Sequence, residues 1–115
     1  MAHFRCLCLD TADPASNLAT FWAAVAGGTV TPAESGGPAD VYGRAETENL
    51  LVVPVPEHKT VKNRAHPDLT TTDLPAEIKR LTKLGATHQA DFDEDGTKWA
   101  TLTDPEGNEF DVVAG

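Results

Sequence analysis

The sequence has little positive charge, little cysteine and no long apolar run, and each shortage excludes a class of protein. Nine lysines and arginines stand against 18 aspartates and glutamates in 115 residues, which gives a formal net charge of −9. This charge repels a phosphate backbone, so we expect no nucleic acid partner, whereas a neutral or cationic small ligand is compatible with it. No run approaches the roughly 18 apolar residues of a membrane helix, and the N-terminus lacks the basic and apolar regions of a signal peptide. We therefore expect a cytoplasmic protein with no membrane partner.

Common catalytic and redox motifs are missing as well. The sequence contains no G-x-S-x-G, P-loop or C-x-x-C motif. Its two cysteines, Cys6 and Cys8, would lie on the same face of a strand, with their Cα atoms about 6.6 Å apart. Because their Cβ atoms would point in parallel, we expect no disulfide between them. They are predicted to be reduced thiols that fill the core.

The sequence does contain an internal repeat. Leu9–Gly28 and Leu69–Ala86 each run from the end of an apolar strand, through an aspartate and an amphipathic helix, to a glycine. The offset between the copies is 60 positions up to the helices and 58 after them, where GGT at 27–29 meets GAT at 85–87. Each copy of such a repeat is one supersecondary unit. Equivalent positions of two facing copies would converge on a pseudo-twofold axis, so the repeat also nominates a site.

Hydrophobic periodicity predicts a strand, a helix and three further strands in the first copy, residues 1–56. Asp13 is expected to cap the helix, and Gly27 to end it. Pro54 cannot donate to a ladder, so the last strand should leave its sheet there. The predicted strands are His3–Asp10 (with both faces covered), Thr29–Thr31, Val41–Ala45 and Leu50–Val55.

A linker at Glu57–Lys62 leads to the second copy, residues 63–115, which repeats the order. Asp73 is expected to cap its helix, which ends at Leu84. Gly107 should supply a positive φ in a tight turn at 104–107. The predicted strands are Asn63–Thr71, Ala86–Ala90, Lys98–Thr103 and Glu109–Val113, with an acidic turn at Asp91–Gly96, and the predicted buried helix residues are Ile78, Leu81 and Leu84.

Four segments of this chain resemble a known family. FWAAVAGG at 21–28, KNRAHPDLTTTDL at 62–74, LGAT at 84–87 and DPEGNEF at 104–110 are similar to the vicinal oxygen chelate superfamily, and closest to its small glyoxalase-like domain proteins of bacteria. The resemblance implies an α+β fold in which one domain, 1–115, is built from two tandem βαβββ modules that each form a half-barrel cleft. It also implies a homodimer. The superfamily ranges from glyoxalase I, fosfomycin resistance enzymes and extradiol dioxygenases to metal-free drug-binding proteins of the bleomycin resistance type, so the fold does not decide the function.

The resemblance also implies a site. Members carry metal ligands on the first and fourth strands of each module, and the repeat locates these positions at Cys6, Val53, His66 and Asp111. Metal-dependent members typically have His or Glu at all four. Because Val53 cannot coordinate a metal, we expect no cofactor, with Zn²⁺, Ni²⁺ or Fe²⁺ at Cys6, His66 and Asp111 as the alternative.

The residues themselves leave several roles open. His66 is a candidate general base or polar ligand contact with Asp111 as its acid partner, or else a structural histidine in a strand core. Asp68 projects from the same strand face as His66, or caps a loop or pairs with Arg64. Trp99 lines a cleft or packs at a dimer interface.

Two charged segments have plainer interpretations. Lys62, Asn63 and Arg64 either contact an anion or pair with acidic residues of this domain, and the second interpretation is favoured. Glu106 and Glu109 flank a turn and are expected to face solvent.

Three functions are compatible with these features, and the third is a module of an assembly in which the site of a two-domain ancestor has been lost. In the first, the protein binds or sequesters a small organic molecule in a cleft between its modules, without a complete metal site. In the second, it is a metal-dependent lyase, isomerase or dioxygenase of the glyoxalase type that uses Cys6, His66 and Asp111. The ligand-binding residues in the first case are Cys6, Val53, His66, Asp68, Trp99 and Asp111.

Overall fold

The chain forms two compact units, Met1–His58 and Lys59–Gly115, which divide inside the segment predicted as a linker. The structure is a computed structural model that describes residues 1–115, except for the side chain of Glu46. Each unit has the order strand, helix, strand, strand, strand, and this confirms the α+β fold of tandem βαβββ modules. Among the described residues, no helix is long and apolar enough to cross a membrane.

The first unit is a four-stranded sheet with one helix. Its strands lie in the order β1-β4-β3-β2, in which β1 is parallel to β4 and the other neighbours are antiparallel. The helix packs on one face, where Leu18, Phe21 and Trp22 are buried. The elements are β1 (Leu7–Thr11), α1 (Ala15–Ala26), β2 (Thr29–Thr31), β3 (Ala39–Tyr42), a 3₁₀ turn (Glu46–Glu48) and β4 (Leu50–Pro54).

The first strand differs from its prediction. It begins at Leu7 rather than at residue 3, and Phe4 is fully exposed. Leu9 and Thr11 point to the helix side and are buried, whereas Cys8 alternates onto the other face and is exposed. Cys6 is half-buried. The prediction that both cysteines fill the core is therefore wrong, because the helix covers only one face of this sheet.

The two helices begin differently although their sequences are alike. Pro14 occupies the N-cap of α1, so the prediction that Asp13 caps this helix is wrong. In α2 (Leu74–Leu84), Asp73 is the N-cap as predicted, and its carboxylate accepts a hydrogen bond from the Ala76 N–H at 3.1 Å. The difference follows from the proline: Pro14 comes directly after Asp13 and itself becomes the last non-helical residue, which leaves the aspartate one position too early to cap.

The second unit repeats the sheet in the order β5-β8-β7-β6, with β5 parallel to β8. The helix α2 contacts β6, β7 and β8. The strands are β5 (Asp68–Thr71), β6 (Thr87–Glu94), β7 (Thr97–Thr103) and β8 (Glu109–Ala114). The fully buried core residues are Leu81, Ala100, Leu102, Phe110 and Val112.

The predictions for the acidic segment and for the buried face of α2 were wrong, and the strand predicted from Asn63 begins only at Asp68. The acidic segment at 91–94 is not a turn but the second half of β6, and the turn is the pair Asp95-Gly96, whose φ angles are 50° and 79°. Two residues with positive φ are the preferred connection of a two-residue hairpin, so the strand can continue up to them. On α2 only Leu81 is fully buried; Ile78 is half-buried and Leu84, the last helical residue, is exposed.

Candidate functional site

One face of the second sheet is free of the helix, and it carries the polar residues predicted from the sequence. Leu102 and Phe110 point to the helix side. On the opposite face, Asp68 of β5 pairs with Asp111 of β8, and Asp111 pairs with Thr101 of β7. Directly paired residues of neighbouring strands point to the same side. The register therefore places these three side chains in a row on the open face.

His66 completes this row. The sequence predicts His66 within the first strand of this unit, but it lies just before β5. Its Nδ1 is 3.1 Å from Asp68 Oδ1 and 3.8 Å from Asp111 Oδ2. The Thr101 hydroxyl donates to the other Asp111 oxygen, Oδ1, at 2.6 Å. The side chain of Asp111 is 17% exposed and that of Asp68 is 57% exposed, so Asp111 forms the floor of the cluster and Asp68 its rim.

The chemistry of this cluster follows from its donors and acceptors. Ionised carboxylates only accept hydrogen bonds, so a ring nitrogen that faces two of them needs a proton of its own or a cation between them. With the proton on Nδ1, the neutral imidazole of His66 keeps a lone pair on Nε2. The cluster can then accept a proton or a hydrogen bond from a bound molecule through Nε2, while Asp68 and Asp111 hold the ring in place.

The same three residues also fit a divalent metal ion. One ligand atom from each of His66, Asp68 and Asp111 can be chosen so that all three lie within 4.8 Å of one another. An imidazole with two carboxylates is a donor set suited to Zn²⁺, Mn²⁺ or Fe²⁺, and the Thr101 hydroxyl would orient Asp111 as an outer partner. A bound ion would supply Lewis-acid polarisation of a ligand oxygen.

This set differs from the metal ligands expected from the repeat. Asp68 belongs to the group, although the sequence nominated it only for ligand binding, and Cys6 lies in the other unit. The signal for Asp68 was present as the H-x-D spacing of His66 and Asp68, which places both on one side of an extended chain.

The first unit carries no acidic counterpart of Asp111 at the paired position among its described residues. Cys8 pairs with Leu51 as Asp68 pairs with Asp111, so strand pairing makes Leu51, rather than Val53, the counterpart of Asp111. Val53 lies two residues further along β4 and is half-buried. Desolvation, together with the neighbouring Cys6, raises the pKa of the Cys8 thiol, which favours its protonated, weakly nucleophilic form.

An aromatic pair lies on the same open face as His66, Asp68 and Asp111, which we call the acidic cluster. Phe92 of β6 and Trp99 of β7 are directly paired, and their rings stack with centroids 5.0 Å apart and planes at 13°. Phe92 is exposed and Trp99 is half-buried. Because Trp99 is two residues from Thr101, which is paired with Asp111, the aromatic surface adjoins the cluster.

Glu109 also belongs to this region, contrary to the expectation from the sequence. It was expected in solvent, but its side chain is only 18% exposed and ion-pairs with Lys59 at 3.1 Å. Its other oxygen accepts the Asn63 backbone N–H at 2.8 Å. Burial alone would raise the pKa of Glu109, but the Asn63 N–H and the Lys59 ammonium outweigh it, so the pKa lies below its usual value.

Comparison with protein families matches residues 6–113 to the Glyoxalase-like domain. The chain belongs to this family. The match spans both units, and it confirms the resemblance to the vicinal oxygen chelate superfamily. No curated protein matches the chain of this glyoxalase-like domain in sequence.

Solved structures with the same fold include proteins of several activities. A FosX fosfomycin resistance protein mutant from Listeria monocytogenes, in complex with Mn(II) and 1S,2S-dihydroxypropylphosphonic acid, has a TM-score of 0.80 and 10% identity over 100% of this chain and 91% of that chain. A glyoxalase/bleomycin resistance protein/dioxygenase family enzyme from Burkholderia phytofirmans PsJN has a TM-score of 0.78 and 15% identity over 98% of both chains. A bleomycin-binding protein in complex with bleomycin has a TM-score of 0.67 and 16% identity over 99% of both chains. At these identities, the likeness shows the shared fold.

Proposed function

We propose that this glyoxalase-like domain binds a small organic molecule on the open face of its second sheet. His66, Asp68 and Asp111 would supply the polar contacts, and the Phe92–Trp99 pair a flat apolar surface beside them. The observation that carries the proposal is the convergence of the imidazole and two carboxylates, with Nδ1 of His66 at 3.1 Å and 3.8 Å from them. Protein sites for small molecules typically combine an apolar surface with a few converging polar groups in this way.

The charges on this face favour one class of ligand. Two carboxylates and a net charge of −9 attract a cation or a hydrogen-bond donor, and the stacked rings suit an aromatic or planar group. We therefore propose an aromatic amine or a similar planar cation as the ligand class. The fold supports this assignment, since it also occurs in a protein crystallised with bleomycin.

Thermal denaturation with aromatic amines and with bleomycin tests the proposal. A ligand at a hundred times its Kd stabilises the folded state by about 2.7 kcal/mol, which is on the order of a 10 °C rise in Tm for a domain of this size. Asp111→Asn should remove the rise. Asp93→Asn is the matched control, because Asp93 is an exposed acid of the same unit whose side chain is 65% exposed. If no probe raises Tm, or if both variants lose the effect equally, the proposed binding face is wrong.

A second candidate function is a divalent metal centre at the same three residues, as in a metal-dependent enzyme of the glyoxalase type. The observation in its favour is the mutual approach of the three ligand atoms within 4.8 Å. Titration of EDTA-treated protein with Mn²⁺ and Zn²⁺ by calorimetry tests it. His66→Ala should abolish binding, whereas His58→Ala should not, because His58 is an exposed histidine of the other unit. Absence of stoichiometric binding by the wild-type protein would exclude this function.

Two further expectations belong with this proposal. We propose a homodimer, which light scattering would detect as a particle of twice the chain mass of 12.2 kDa. We propose a cytoplasmic location because the two cysteines are free thiols, as expected in a reducing compartment.

A further inference from the structure

The segment DPEGNEF at 104–110 forms a turn whose backbone, together with the side chain of Asn108, is held by one buried carboxylate. Asp104 is 3% exposed, and its Oδ1 accepts the backbone N–H groups of Glu106 and Asn108, both at 2.9 Å. Its Oδ2 accepts the Asn108 side-chain N–H at 3.0 Å. The turn closes with the Gly107 N–H on the Asp104 carbonyl at 2.9 Å, with Gly107 at φ 88° as predicted. The amide of Asn108 is therefore held in one orientation.

The segment 59–63, which precedes β5, is bound to this turn at three points. The Asn63 backbone N–H donates to Glu109 Oε2 at 2.8 Å, and the Lys59 ammonium donates to Glu109 Oε1 at 3.1 Å. The Asn63 side-chain N–H donates to Asn108 Oδ1 at 3.3 Å. We call these three bonds the Glu109 clasp. It joins two of the segments that carry the family resemblance, 62–74 and 104–110.

The clasp lies next to the cluster of His66, Asp68 and Asp111 along both of the segments that it joins. His66 follows Asn63 by three residues, and Asp111 follows Glu109 by two. His66 itself lies in neither a helix nor a strand. The next backbone tie after the clasp is the Asp111 N–H on the Pro67 carbonyl at 3.1 Å. The backbone on either side of His66 is therefore held by hydrogen bonds, at Asn63 before it and at Pro67 after it.

We infer that Glu109 is a positioning residue, which holds the backbone at Asn63 so that Nδ1 of His66 faces Asp68 and Asp111. This inference rests on the proposed function, since the cluster it orders is the proposed site. The hydrogen bonds of the Glu109 carboxylate go to Asn63 and Lys59, so Glu109 acts on His66 through the backbone between Asn63 and His66. Without the two bonds of Glu109, the segment that carries His66 keeps only the side-chain bond of Asn63 to Asn108 and the bond at Pro67, and the ring samples other orientations besides the one that faces Asp68.

Nuclear magnetic resonance of the ligand-free, EDTA-treated protein tests this directly. At pH 9 imidazoles are neutral, and the ¹⁵N shifts of a histidine ring report which nitrogen carries the proton. In the wild-type protein, we expect His66 to carry it on Nδ1. Glu109→Ala should abolish this preference and speed exchange of the Asn63 amide by about tenfold or more. Glu109→Gln, which keeps an acceptor for the Asn63 N–H, should restore most of both signals.

The controls separate positioning from folding. Trp99, which stacks on Phe92, lies four residues along β7 from Thr103, the partner of Glu109. The indole N–H resonance of Trp99 should therefore be unchanged in both variants if the sheet is intact. If Glu109→Ala does not fold, Lys59→Met and Asn63→Ala each remove one outer bond of the clasp and should shift the His66 signals partway.

The outcomes also separate this inference from the proposed function. The inference is overturned if Glu109→Ala, or the two milder variants, leave the ring shifts of His66 as in the wild-type protein while the Asn63 amide is deprotected. It is also overturned if wild-type His66 carries its proton on Nε2. If His66 of the wild-type protein carries its proton on Nδ1 but the protein binds none of the probes, the proposed function is wrong and the inference about Glu109 stands.

Discussion

The stability of the domain should depend on the charge of Glu109. Its two oxygens accept from the Asn63 N–H at 2.8 Å and from Lys59 at 3.1 Å, and its side chain is only 18% exposed. A hydrogen bond to a half-buried carboxylate contributes about 1.5–3 kcal/mol, and the ion pair with Lys59, whose attraction is largely offset by the desolvation of its two charges, adds less than about 1 kcal/mol. We expect Glu109→Ala to lower the free energy of unfolding by about 2–3 kcal/mol at pH 7.

The sign of the pH dependence follows from the lowered pKa of Glu109. A carboxyl whose pKa is lower in the folded than in the unfolded protein contributes stability above its unfolded pKa, and this contribution is lost as the pH falls through the folded pKa. Glu109→Gln has no such carboxyl. The difference in free energy of unfolding between the wild-type protein and Glu109→Gln should therefore be largest near pH 7 and shrink below pH 4.

Urea denaturation at pH 7, 5 and 3 measures this difference. Lys59→Met is the matched control, because it removes the ion pair and leaves the hydrogen bond from Asn63. It should lose less than half of what Glu109→Ala loses. A difference that is the same at all three pH values would refute the assignment of the stabilising role to the ionised carboxylate.

Three other substitutions test the packing and the turns by thermal or urea denaturation. Phe110→Ala empties a fully buried site and should cost about 3–5 kcal/mol, whereas Phe4→Ala should change nothing measurable because Phe4 is fully exposed; equal effects would contradict the assigned core. Asp73→Ala removes a helix cap and should cost about 1 kcal/mol, while Asp13→Ala should cost clearly less, and the reverse order would contradict the two N-caps. Gly96→Ala forces a side chain into φ 79° and should destabilise the β6–β7 hairpin by about 1 kcal/mol; a neutral result would show that the turn relaxes.

The fold could be predicted from the sequence because its signals are local. The glycines after each helix and the apolar period of the strands set the element order, and β2 begins and ends where predicted. The sequence predicts too early an end for β6, because the acidic half of this strand, residues 91–94, has no buried face and so no apolar alternation. An exposed strand of this kind is held by its hairpin partner, which single-sequence periodicity does not report.

The site was only partly predictable, because it depends on which residues become neighbours across strands. His66 and Asp111 were nominated by the repeat, but the pairing of Asp68 with Asp111 depends on the register of β5 on β8. Glu109 was placed in solvent because a glutamate beside a turn usually is exposed. Its partners Lys59 and Asn63 come from a segment some fifty positions earlier, and no local pattern reveals them.

The sheet order has a consequence for how the chain can be divided. Each strand finds its hydrogen-bonded neighbours inside its own unit, in the orders β1-β4-β3-β2 and β5-β8-β7-β6. A break in the chain between His58 and Lys59 would therefore interrupt no hydrogen bonds between strands. It would also keep Lys59 and Glu109, which are bonded to each other, in the same fragment. The two halves could be produced as separate polypeptides, mixed and assayed for complementation.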